Sequence, residues 1–64
     1  MTRTKLFSYR RAVFYKLVRE YKWREFDAKD WIDQHIDYVR AMYKIEQPHT
    51  KTAKQLNEMK NNGT

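Results

Sequence analysis

The stretch from Asp27 to Glu46, DAKDWIDQHIDYVRAMYKIE, constrains the fold more than any other part of the chain. At about 100° per residue, a helix here places Ala28, Ile32, His35, Ile36, Val39, Met42 and Tyr43 on one face, with Trp31, Tyr38 and Ile45 widening it on one flank. That apolar arc spans about half the circumference, against roughly 100° for an ordinary surface helix. Such a helix needs cover from two sides. The rest of the sequence offers one long helical segment and one short one to provide it. The expected fold is therefore all-α: an antiparallel two-helix hairpin with a short third C-terminal helix, in a single domain over residues 1–64.

A chain of 64 residues buries only about 60% of the surface its unfolded form exposes, so its stability is expected to be small. It has no cysteine for a disulfide and no Cys/His pattern for a structural zinc. The aromatic share of 16% nevertheless argues against disorder, because disordered chains are poor in such side chains. Dimerisation or docking on a partner is one source of the missing stability.

The first helix is expected over about residues 5–22. Leu6, Phe7, Val13, Phe14, Leu17, Val18 and Tyr21 recur at spacings of three and four that no strand can match. Thr4 or Ser8 can serve as its N-cap. Helix two is expected over about 28–46, with Asp27 as N-cap and Asp30 at the capping-box position. So short a connection sets the two helices antiparallel. Charge agrees: residues 1–26 hold eight Lys/Arg and two Glu, and residues 27–47 hold five acids and three bases. Gln47 and Pro48 end helix two. A weak helix three over about 53–60 follows, with Thr52 and Gln55 as capping box, Ala53, Leu56 and Met59 as its apolar stripe, and Asn61, Asn62 and Gly63 as C-cap and tail.

No residue pattern points to catalysis, and neither a metal nor a cofactor is expected. His35 lies on the apolar face of helix two without a second ligand at matching spacing, which favours a core histidine bonded to a tyrosine or a backbone carbonyl. Asp30, Asp33 and Asp37 read as a polar face complementing the helix dipole rather than as a cation site. Arg10 projects into the apolar stripe of helix one. It snorkels to water, or the helix begins after it, or it pairs with a carboxylate of helix two or of a partner.

The formal net charge of +6 favours acidic or anionic partners. The first functional expectation is a small non-enzymatic accessory or regulatory protein, binding another protein through a helical aromatic surface of Trp23, Phe26, Trp31, Tyr38 and Ile45. A homodimer through the Trp31, Tyr38, Ile45 flank is expected on the same grounds. The alternative is a nucleic-acid-associated protein whose Arg3, Lys5, Arg10, Arg11, Lys16, Arg19 and Lys22 contact phosphates, with Tyr9 and Tyr15 between them. With no long apolar run and no apolar stretch in MTRTKLFSYRR, the expected location is the cytoplasm, away from membranes.

Overall fold

The apolar arc of residues 27–46 is divided between two helices. In the computed structural model, which describes residues 2–62 and the side chains from Leu6 onward, α1 spans Thr2–Arg19, α2 Glu25–Gln34, α3 Ile36–Lys44 and α4 His49–Asn62. The chain is all-helical with four helices and no strand among the described residues. This corrects the count of three read from periodicity.

His35 makes the break. Its backbone leaves the helical region, at φ −114° and ψ 31°. The ring turns back toward the N-terminus, as long helical side chains do, and stacks flat on Trp31 with centroids 4.3 Å apart and planes 6° apart. Its Nδ1 lies 3.0 Å from the Trp31 carbonyl, which already accepts the His35 backbone N–H at 2.9 Å. A carbonyl only accepts, so the ring hydrogen sits on Nδ1. Both halves of the arc face α1, and the second half also reaches α4. Ala28 and Ile32 serve α2, which lies along α1, while Val39 serves α3, which touches both α1 and α4.

Other boundaries also differ from expectation. Helix α1 ends at Arg19 because Lys22 takes a left-handed conformation, φ 61°, and the Trp23 N–H returns to the Leu17 carbonyl at 3.1 Å. The turn carries Trp23 into the core, where it is 8% exposed. Arg24, not Asp27, is the N-cap residue of α2. It is extended at φ −71° and ψ 146°, makes no side-chain cap bond, and accepts the Ala28 N–H at 2.9 Å. Glu25 and Asp27 then lie in the first turn, where carboxylates complement the helix dipole.

Helix α4 starts at His49, four residues before the expected start. The Pro48 carbonyl accepts from Lys51 at 3.1 Å and Thr52 at 3.2 Å, and proline loses no hydrogen bond at a helix entry because it has no N–H. Thr52 is therefore not a cap. It is fully buried, and its hydroxyl bonds the Tyr9 hydroxyl. Helix α4 docks chiefly on α1, and its Ala53 and Leu56 join Val13, Leu17, Trp23, Ala28, Ile32 and Val39 in one core. A helix of 14 residues is marginal alone in water, so this burial is what holds it. The expected Gly63 C-cap lies outside the described residues.

Helix α3 closes in a Schellman motif, with Gln47 N–H to Met42 O and Glu46 N–H to Tyr43 O, both at 3.0 Å. Its left-handed residue is Glu46, φ 60°. A residue with a Cβ costs about 1–2 kcal/mol there, and glycine's extra chain entropy gives back roughly 0.5–1 of that. Glu46→Gly is thus expected to stabilise the fold by up to about 1 kcal/mol, read as a higher urea midpoint at unchanged slope.

Tyr38 packs half-buried against the core. Its phenol pKa is raised above the ordinary 10.0, first by burial and second by neighbouring Tyr9. The folded state thus holds this proton more tightly than the unfolded one. The contribution is intact below the unfolded pKa and is lost as pH rises through the folded one. The urea midpoint should fall as pH rises past 10.0, the ordinary phenol value, and Tyr38→Phe should reduce that fall.

Candidate functional site

Helix α1 turns one stripe outward. Phe7, Arg11, Tyr15 and Arg19 follow each other at intervals of four, so their side chains are neighbours along one side of the helix. Phe7 is 60% exposed and Tyr15 39%. The Tyr15 ring lies between two guanidinium groups, 5.5 Å from that of Arg11 and 5.3 Å from that of Arg19. Such contacts are worth about 0.5–1 kcal/mol each at exposed sites. Phe14 meets Tyr15 edge to face at 5.4 Å.

Beside this stripe, a slot of about 300 Å³ opens between α1 and α2, lined by Phe7, Arg10, Arg11, Phe14, Tyr15, Lys29, Ile32 and Asp33. Ile32, 4% exposed, belongs to its floor. Arg10 spans it: Nη2 donates to Asp33 Oδ1 at 3.2 Å, fixing the register of α1 against α2. This is the carboxylate of helix two that the sequence offered as one of the fates for Arg10. The pair is exposed and worth at most about 1 kcal/mol. The Arg10 Nε is buried without a hydrogen-bond partner. Arg11 and Lys29 face no carboxylate at ion-pair distance among the described residues.

The residues named from sequence separate into three groups. Trp23 and Trp31 do come together, edge to face at 6.0 Å, with Trp23 buried in the core and Trp31 half-buried against it. Trp23 Nε1 donates to Asn57 Oδ1 at 3.0 Å, Lys60 Nζ sits 4.4 Å from its ring centroid, and Trp31 is covered by His35. Tyr38 is half-buried. Phe26, 79% exposed, and Ile45, 59% exposed, stand at opposite ends of the α2–α3 segment. Among the basic residues, Lys16 pairs with Glu20 at 3.6 Å and Arg10 with Asp33. Arg11, Arg19 and Lys22 are exposed, and the side chains of Arg3 and Lys5 lie outside those described.

His35 bonds a backbone carbonyl, as expected of a core histidine, and Asp30 accepts from Gln34 at 2.8 Å. No group of three or more His, Cys, Asp or Glu is placed to hold a metal ion among the described residues. Among the described residues, no helix is long and apolar enough to cross a membrane.

Sequence reading missed the slot because Phe7 and Phe14 were counted in the inward stripe of helix one. The signal that finds it is the i, i+4 alternation Phe7, Arg11, Tyr15, Arg19, in which two rings share a side with two guanidinium groups. The architecture defines the class as a small all-α protein, with four helices among the described residues. Comparison with protein-family models, curated proteins and solved structures yields no match.

Proposed function

We propose that this chain is a small non-enzymatic protein-binding module whose contact surface is the α1–α2 slot with the exposed stripe beside it. The observation that carries this reading is the slot itself, an apolar concavity bordered by Phe7, Tyr15 and Arg11 and left open. Aromatic residues and arginine are the types enriched at interfaces and their hot spots. Binding to a partner also offers a domain of this size stability that its own core supplies sparingly.

A second reading draws on a different observation. Arg11 and Arg19 flank the exposed Tyr15 ring without a carboxylate among the described residues, and Lys22 is exposed, a combination suited to phosphates and unpaired bases. Salt separates the two. Partners recovered on the immobilised chain should survive nuclease, and their affinity should weaken only modestly, by about tenfold, as ionic strength rises. A steep log-log salt slope of about one unit per phosphate neutralised, with nuclease-sensitive recovery, would replace the first reading with the second.

A further inference from the structure

We infer that the α1–α2 slot receives an acidic amphipathic helix, seating one bulky apolar side chain against Ile32 and Phe14 and setting carboxylates on Arg11 and Lys29. The inference deepens the protein-binding reading and rests on it. Its ground is charge complementarity. The lining carries three cations and one acid, and that acid, Asp33, is already held by Arg10 at 3.2 Å. Arg11 stands on α1 and Lys29 on α2, both exposed and without carboxylates, so cations border the hydrocarbon slot from both helices. A basic or neutral partner would leave these charges unanswered or opposed, and like charges brought together across an interface reject a partner.

A helix suits a slot that lies between two packed helices. A furrow between two packed helices accepts an apolar helix face read as anchors at i, i+3 or i+4 and i+7, and residues three and four from an anchor bring acids to either wall. A nucleic-acid strand fits the slot less well. Arg11 and Lys29, two cations without carboxylates among the described residues, bracket a hydrocarbon lining, where a tracked backbone would need a run of them.

The test uses the full chain, ¹⁵N-labelled, and three synthetic helical peptides with identical leucine positions and with Glu, Gln or Lys at the polar positions. An unstructured thymidine oligonucleotide is the fourth probe. At low ionic strength the Glu peptide should bind about tenfold or more tighter than the Gln peptide and shift the amide signals of Phe14, Lys29 and Ile32. The Arg11→Gln, Lys29→Gln double variant, altered only at exposed positions, should bring the two affinities to within a few-fold. Equal binding of the Glu and Gln peptides in the slot would overturn the acidic class and leave the protein-binding reading standing. Absence of slot shifts with every peptide would overturn the inference, while nuclease-resistant partner recovery would still judge the broader reading separately. Slot shifts produced by the oligonucleotide but not by the Glu peptide would overturn the inference in favour of phosphate binding.

Discussion

Trp23→Ala is expected to unfold the chain. Truncating a buried tryptophan costs about 3–5 kcal/mol. At roughly 0.05–0.15 kcal/mol per residue, a chain of 64 residues has a total stability of about 3–10 kcal/mol. The loss at Trp23 is compounded by its position. It is the one core residue supplied by the turn after α1, it touches Trp31 of α2, and its Nε1 donates to Asn57 of α4. One ring thus ties three helices together. Trp23→Phe keeps most of the apolar area and gives up the hydrogen bond, so a smaller loss of about 1–2 kcal/mol is expected. Thermal melts followed by circular dichroism check both. A Trp23→Ala variant as helical and heat-stable as the parent would show that the ring does not occupy the core.

Leu17→Ala and Leu56→Ala should each cost about 2–5 kcal/mol, the range for a buried leucine whose cavity relaxes only in part. Both side chains are fully buried in the same core. Leu17 belongs to the long α1. Leu56 belongs to the helix that looks weakest in sequence, which makes its variant the more informative. Because α4 docks chiefly on α1, Leu56→Ala should lower the melting temperature of the whole helical signal in one transition. If only the share of signal belonging to α4 disappeared and the remainder melted as in the parent, α4 would be an appendage rather than part of the core.

The sequence made the core legible and hid its geometry. Leu17 and Val39, placed at the centres of their stripes by periodicity, are both fully buried. Periodicity reports which residues share a face, and that survives whatever the helix does between them. The break at His35 was not legible because it arises from a ring stacking on Trp31 and a second donor reaching the Trp31 carbonyl, contacts that no spacing rule contains. The cap at Asp27 was misplaced for a related reason. Capping preferences are worth about 1 kcal/mol, and the burial of Trp23, worth more, set where the turn ends and α2 begins. Thr52 shows the same ordering, since a residue with a capping sequence around it became a buried partner of Tyr9 once α4 packed on α1.

For the candidate site, charge and residue type were legible and placement was not. Arg11 and Arg19 were identified as contacts and are exposed, whereas Trp23 was expected at the surface and lies inside. A two-helix hairpin has no interior for that ring. The fourth helical segment creates one, and with Trp23 withdrawn, the exposed aromatic residues beside arginine are those of α1.

The claim that the slot is the working surface is tested most directly by a matched pair of exposed rings. Phe7 lines the slot and is 60% exposed; Phe26 lies outside it and is 79% exposed. Neither belongs to the core cluster, so Phe7→Glu and Phe26→Glu should both keep the helical spectrum of the parent. The affinity of each for a nuclease-resistant partner is the measurement. The slot reading predicts that Phe7→Glu weakens binding by 2 kcal/mol or more, on a hot-spot scale of about 2–4, while Phe26→Glu binds as the parent does. The reverse ranking, with Phe7→Glu binding normally and Phe26→Glu losing the partner, would contradict it and return the contact to the corner at the start of α2.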